Sequence, residues 1–191
     1  VIPRLVVASK NPDKITEIEH VLVPLGLAGE IVTGLDWPDV EETGETLAEN
    51  ALLKARAVTT ATGLPAVADD TGLEVEALGG RPGVRTARFA GPGATYADNV
   101  QLLLRDMEGI DDRAATFRTV VALVWPDGAE LVANGFVEGV ITREPRGAGG
   151  FGYDPVFEIE GKTLAEMSLE GKSKLSHRAR ALRALAAVLV R

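Results

Sequence analysis

Pro65-Ala66-Val67-Ala68-Asp69-Asp70-Thr71-Gly72 is the stretch on which the reading of the fold turns. Its apolar half reads as a short buried strand that ends at Asp69-Asp70. Ligands of α/β proteins gather at the carboxyl ends of central strands, so two acids there are candidates for chemistry. Adjacent strand side chains point to opposite faces. One acid is then free to face a metal or a water while the other braces the loop. The bland alternative is a plain strand-end turn, which Asp-Thr-Gly suits. Against it stands the cost of two near-buried carboxylates without partners.

Strands and helices alternate on the amino-terminal side. Arg4 to Ala8 reads as a buried strand. Pro12 opens a helix with Ile15, Ile18 and Leu22 at helical spacing. Glu30 to Thr33 reads as a second strand, and Asp36 to Glu45 as an acidic loop. Thr46-Leu47-Ala48-Glu49 is a capping box that starts a helix running to about Thr62-Gly63. On the carboxyl side, Gly79 to Gly83 is turn-rich and Thr95 to Met107 is helical. Thr116 to Trp125, the Pro126-Asp127-Gly128 turn and Glu130 to Val137 form a hairpin, which Gly139 to Ile141 extends. Val156 to Ile159 is the last expected strand. Ser176 caps a final helix with Leu182, Leu185, Ala186 and Leu189 in one stripe. The expectation is a single α/β domain over residues 1–191 with a mixed sheet, crossovers first and a hairpin later.

Several groups join the acid pair as candidates. Glu41 or Glu42, together with Asp70, has the hard oxygen donors that magnesium takes alongside substrate phosphates. Taken alone, that stretch is a solvated acidic loop. Lys54 follows Leu47 and Ala51 on the inward stripe of its helix, where a lysine either snorkels outward or meets an anion. Ser9-Lys10-Asn11-Pro12-Asp13-Lys14 links a strand to a helix, a turn that aims backbone N–H groups at an anion. Phe151 and Tyr153, set among glycines, offer an aromatic face to a base or else belong to the core. His177 and Arg178 lie in the first turn of the last helix, where cations oppose the macrodipole unless an anion or ligand compensates. Two look-alikes are rejected. Gly147 to Gly152 matches G-x-G-x-x-G but opens no helix. Gly171-Lys172-Ser173 imitates the end of a P-loop, but Glu166 stands where that motif needs its first glycine.

Composition narrows the classes. The chain has 191 residues, 28 acids against 20 Lys and Arg, a formal net charge of −8 and no cysteine. Disulfides, thiolate nucleophiles and zinc–cysteine sites are excluded. The acidic balance opposes a broad nucleic-acid face but not a small anionic ligand. Residues 172–191 nonetheless carry six Lys and Arg and no acid. No stretch approaches the ~18 apolar residues of a membrane helix, and no signal-like segment opens the chain. The expectation is a soluble cytoplasmic protein.

Jointly these pieces resemble the non-canonical purine nucleoside triphosphate pyrophosphatases, the inosine triphosphate pyrophosphatase family. The matching segments are Ala8 to Lys14, Glu41 to Gly44 with Glu49-Asn50-Ala51 and Lys54-Ala55, and Ala68 to Leu73. Leu78 to Gly83, Thr86-Ala87-Arg88, Gly150 to Pro155 and Ser176-His177-Arg178 complete the set in family order. The resemblance implies Mg²⁺-dependent hydrolysis of XTP, ITP and dITP to the monophosphate and pyrophosphate. It also implies a homodimer and a long twisted mixed sheet, flanked by helices and split into two lobes around the nucleotide. Asp70 matches the proton acceptor and a metal ligand, Glu41 most nearly a second metal carboxylate, and Asp69 and Lys54 the catalytic neighbours. Ser9, Lys10, Asn11, Lys14 and Thr71, with Lys54, match triphosphate contacts. Phe151, Gly152, Tyr153, Asp154, Lys172, His177 and Arg178 match base and sugar contacts, with Arg178 or backbone N–H groups near 151–154 as donors to purine O6. Pro12-Asp13 departs from the family's first loop and puts an acid beside the phosphates. The rival expectations are a Maf-like pyrophosphatase acting on pyrimidine or modified nucleotides, and a nucleotide-binding module without turnover.

Overall fold

The computed structural model describes residues 1–189. Its first half runs β1 (Ile2–Val7), α1 (Pro12–Leu22), β2 (Ala28–Val32), α2 (Leu47–Thr62) and β3 (Ala66–Val75). The second half runs β4 (Pro82–Gly83), α3 (Tyr96–Asp106), β5 (Ala114–Val124), β6 (Glu130–Ile141), β7 (Phe157–Ile159), β8 (Lys162–Thr163), α4 (Leu169–Leu175) and α5 (His177–Leu189). One eight-stranded sheet is ordered β2-β1-β3-β5-β6-β7-β8, with β4 beside β3. β1 pairs in parallel with β2 and β3, and the remaining pairs are antiparallel. The expected mixed sheet is present, crossovers first and hairpin later.

The helices start where side chains satisfy their orphan N–H groups. Asn11 Oδ1 accepts from the backbone N–H groups of Asp13 and Lys14, with Pro12 at the first helical position. Thr46 and Glu49 form the expected capping box on α2. Ser176 Oγ accepts from Ala179 N at 3.3 Å and caps α5. Asp13, the acid that departs from the family loop, is exposed in the first turn of α1, where a negative charge favours the dipole.

Strand β3 does not end at Asp69-Asp70. It continues to Val75, paired with β5 from Ala66 opposite Val124 to Val75 opposite Ala115. The turn preference of Asp-Thr-Gly yields to this ladder and to the alternation that resumes at Leu73 and Val75, both fully buried. Gly72 sits where β4 crosses: a Cβ there would lie 3.0 Å from the carbonyl oxygen of Gly83. Two further elements escaped the periodicity, the short strand β8 and helix α4. Gly171-Lys172-Ser173 lies inside α4, with Ser168 Oγ accepting from Gly171 N as its cap.

The core is split along β3. Val67, with β1, α1 and α5, packs on one face of the sheet. Ala66 and Ala68 pack with α2 on the other. Beyond the acids, Leu73 and Val75 enter a separate cluster with α3, Phe117, Tyr153 and Phe157. Two lobes therefore share the long strands, and Asp69-Asp70-Thr71 lies at their junction.

Helix α5 is seated on the sheet at Gly135 of β6. A Cβ there would fall 2.3 Å from Ala181 N and 2.5 Å from His177 O, so backbone meets backbone. Gly135→Ala is expected to push α5 off the sheet and to cost about 2–3 kcal/mol, as overpacking does. Urea denaturation checks this, and an unchanged midpoint would contradict the close approach.

Candidate active site

The cleft between the lobes is lined by the amino-terminal end of α1, the β3 junction, the β4–α3 segment, the glycine loop and the start of α5. The two adjacent acids face opposite ways, as strand geometry requires. Asp70 faces α2. Its Oδ1 accepts from Lys54 Nζ at 3.0 Å, and Asn50 Nδ2 lies 3.4 Å from Oδ2. Burial raises its carboxyl above the usual range, against the pull of Lys54. Asp69 faces α1 and α5. Its Oδ2 accepts from Arg178 Nε and Nη2, both at 3.1 Å, and lies 3.3 Å from Lys14 Nζ. Burial opposes its ionisation, but Lys14, Arg178 and Lys54 outweigh it and hold the carboxyl well below the usual range. Asp69 is thus a fixed anion that ties two helices to the strand. Asp69, expected among the catalytic residues, lies beside Asp70 in the strand with its side chain on the opposite face.

Lys54 does not snorkel. Its Nζ bridges Glu42 at 2.7 Å and Asp70 at 3.0 Å. Burial works against its charge, but Asp70, Asp69 and Glu42 overcome this and raise its pKa. The carboxylate that meets Asp70 across Lys54 is therefore Glu42. Glu41 is exposed and is not among the residues lining the cleft, so the expectation for Glu41 is corrected.

The phosphate-loop candidates divide. Ser9 Oγ accepts from Asn11 N at 3.1 Å and shapes the turn. Lys14 points inward, and burial lowers its pKa against the attraction of Asp69. Lys10 sits at the rim, paired with exposed Asp39 at 2.6 Å. Thr71 Oγ1 lies 2.7 Å from Thr119 Oγ1 and within reach of Asp69 and Arg178.

At the other end of the cleft, Phe151 carries Lys172 Nζ at 5.3 Å and the Arg178 guanidinium at 5.5 Å from its ring centre. Gly152 lines the cleft beside it. Tyr153 is core-packed, with its hydroxyl donating to Thr86 O at 3.0 Å. Asp154 accepts from Phe151 N at 2.8 Å and from Lys172 at 2.7 Å, which closes the glycine loop. Gly150 is required there, since a Cβ would lie 2.1 Å from Asp154 Oδ2. His177 is buried, stacked on Phe117 with ring centres 4.4 Å apart. Burial, then Arg178 and Lys172, push it well below the usual histidine range, so it is neutral. Its Nδ1 has no protein partner among the described residues.

Sequence reading missed Glu17. This buried carboxylate of α1 accepts from both Lys172 and Arg178. The anions that offset cations in the first turn of α5 are therefore Glu17 and Asp69, within the protein. The dipole argument for a ligand at that helix start is corrected accordingly. The available signal was the stripe Lys14, Glu17 and Val21 on one face of α1. Asn50 and Thr86 stood in the matching segments without a role, and Tyr96 was missed.

A family model described as the Ham1 family matches residues 5–188. The chain belongs to the Ham1 family. Among its Ham1-family relatives, a dITP/XTP pyrophosphatase of Streptomyces coelicolor is 48 % identical over 194 residues, covering 97 % of this chain and 96 % of the relative. One of Thermus thermophilus is 50 % identical over 186 residues, covering 95 % and 89 %. A HAM1 protein structure from Coxiella burnetii superposes with a TM-score of 0.86 at 43 % identity, covering 99 % of each chain. The Staphylococcus aureus Ham1 protein gives 0.83 at 38 % identity over 98 % of each. The resemblance carried by the motifs and the expected α/β fold both hold.

Two tests follow from the buried charges. Glu17→Ala leaves Lys172 and Arg178 with a buried excess of positive charge, and is expected to cost about 3–5 kcal/mol in urea denaturation. His177 gives a pH signature. The unfolded chain takes up a proton near the ordinary histidine pKa of about 6.5, which the native, depressed group refuses. Stability is therefore present above that value and lost as pH falls through it, by up to about 1.4 kcal/mol per pH unit from this group. His177→Gln is expected to flatten the slope of wild-type stability between pH 7 and 5, and an unchanged slope would show that His177 protonates in the fold.

Proposed function

We propose that the protein hydrolyses non-canonical purine nucleoside triphosphates, dITP, ITP and XTP, to the monophosphate and pyrophosphate. The observation that carries the reading is the Lys54–Asp70 pair at the lobe junction, between an inward-facing Lys14 and a base-sized aromatic face at Phe151. The names of the Streptomyces and Thermus relatives support the same substrates.

The triphosphate lies along Ser9 to Lys14 and Lys54, where backbone N–H groups and two lysines neutralise its charge. Lys10 meets its outer end from the rim. Asp70 orients a water and takes one of its protons. The water oxygen forms a bond to the α-phosphorus. The bridging bond to the β-phosphate breaks, and its electron pair leaves with pyrophosphate. Burial favours this role, because a carboxyl raised from its usual value is a better proton acceptor. The base stacks on Phe151, and the His177 ring lines the same cleft. Arg178, already held by Asp69 and Glu17, lies over the Phe151 ring and steadies it rather than reading O6 alone.

Magnesium fits the donors present. Asp70 and Glu42 converge on one lysine, while the described residues contain no cluster of three or more acid or histidine ligands. Two carboxylates completed by phosphate oxygens is the set magnesium takes. Asp70 and Glu42 would hold the ion, which would supply further charge neutralisation on the phosphates. The same reading carries a homodimer in the cytoplasm. Val132, Phe136 and Val140 are exposed on one face of β6, alternating with Asn134 and Glu138, a mixed face open to a second copy. No described helix is long and apolar enough to cross a membrane.

A pyrophosphate-release assay across canonical and deaminated nucleotides tests the reading. Pyrophosphate is expected from dITP and XTP in the presence of Mg²⁺. Faster turnover of UTP or dTTP would favour the Maf-like activity, and intact dITP a binding module. Asp70→Asn is expected to lower kcat by about 10²–10⁴-fold, the range of a lost general base, with KM little changed.

A further inference from the structure

Tyr96 is the first residue of α3 and has no place in the chemistry described so far. Its base is rigid. Thr95 and Asp98 form a capping box beneath it, with Thr95 N donating to Asp98 at 2.8 Å. Three residues on, Asn99 is fully buried, accepting from Ala90 N at 2.8 Å and donating to Ala87 O at 3.1 Å. From this anchored turn the Tyr96 side chain leaves its own lobe and reaches across the cleft mouth. Its hydroxyl accepts from Asn11 Nδ2 at 2.7 Å, and Asn11 is the cap of α1 in the other lobe. Its ring lies 5.9 Å from the Phe151 ring at 41°, inside the range of aromatic pairs.

Core packing does not explain this residue. Tyr96 is 44 % exposed, and its ring belongs to none of the three apolar clusters. An aromatic side chain held half in water by a neighbouring lobe has apolar surface left to cover. That surface lines the same cleft as Phe151, His177 and Arg178. The opposite edge of the ring borders the shallow groove along Ala97, Val100 and the glycine loop. Tyr96 is thus the partition between the cleft and that groove.

We propose that Tyr96 is a positioning residue for the base: its ring, tilted beside Phe151, is a second aromatic wall of the base subsite. The proposal rests on the reading of the cleft as a nucleoside triphosphate site. The hydrogen bond to Asn11 sets the ring's orientation before the nucleotide arrives, so less ordering remains for binding to accomplish. It also joins the wall at the base to the helix cap at the phosphates.

The test separates ring from hydroxyl and base from phosphate. KM and kcat for dITP are measured for wild type, Tyr96→Phe and Tyr96→Ala, with inhibition by inorganic tripolyphosphate, which has no base. Tyr96→Ala is expected to raise KM for dITP about tenfold, within the span of base–aromatic stacking. Its kcat should stay within about twofold, and Tyr96→Phe, which keeps the ring but loses the bond to Asn11, should raise KM by less than Tyr96→Ala does. Tripolyphosphate inhibition should be equal in all three. An unchanged KM in Tyr96→Ala overturns the proposal. So does an equal loss of tripolyphosphate inhibition, which would make Tyr96 a brace of the phosphate loop. Wild type inactive on dITP would instead overturn the functional reading, a distinguishable result. The side chain's exposure keeps both variants foldable, and a thermal melt within a few degrees of wild type confirms it.

Discussion

Two carboxylates occupy the middle of a strand that is paired along its whole length and buried on both faces. Everything around them answers to that constraint. A buried carboxylate needs a cation or several hydrogen bonds, and each face of β3 supplies its own. On one face α2 brings Lys54 and Asn50 to Asp70. On the other, α1 and α5 bring Lys14 and Arg178 to Asp69. The lobes separate at these residues, because apolar packing cannot run through them. The polar break that divides the core therefore also creates the cleft.

The two acids consequently differ in kind despite being neighbours. Asp69 is locked as an anion by three cations, and Asp70 is pushed by burial toward holding a proton. Environments that drive paired acids apart in this way are how one site keeps a permanent charge beside a titrating one. The same contrast recurs at the far end, where neutral His177 lies next to permanently charged Arg178.

Much of this was legible in the residues. The capping boxes, the hairpin around Asp127-Gly128 and the inward stripe of Lys54 reported local preferences that the fold keeps. The extent of β3 was hidden, because Asp-Thr-Gly reads as a turn until ten ladder pairs with β5 decide otherwise. Glu42 was one of two equivalent acids until its ion pair with Lys54 separated it from exposed Glu41. Glu17 was invisible for a different reason. Its partners lie at the other end of the chain, and a lone acid on a helix with charged neighbours looks like surface. Tyr96 likewise gains meaning only from Asn11 in the opposite lobe.

Glu17 meets Lys172 and Arg178 across sequence separations of 155 and 161 residues. These contacts join α1 to α4 and α5. Without α5, Glu17 and Asp69 lack the guanidinium they share, and Phe151 lacks one of the two cations over its ring. A chain cut before α5 thus keeps β3 and its two acids but has no finished cleft.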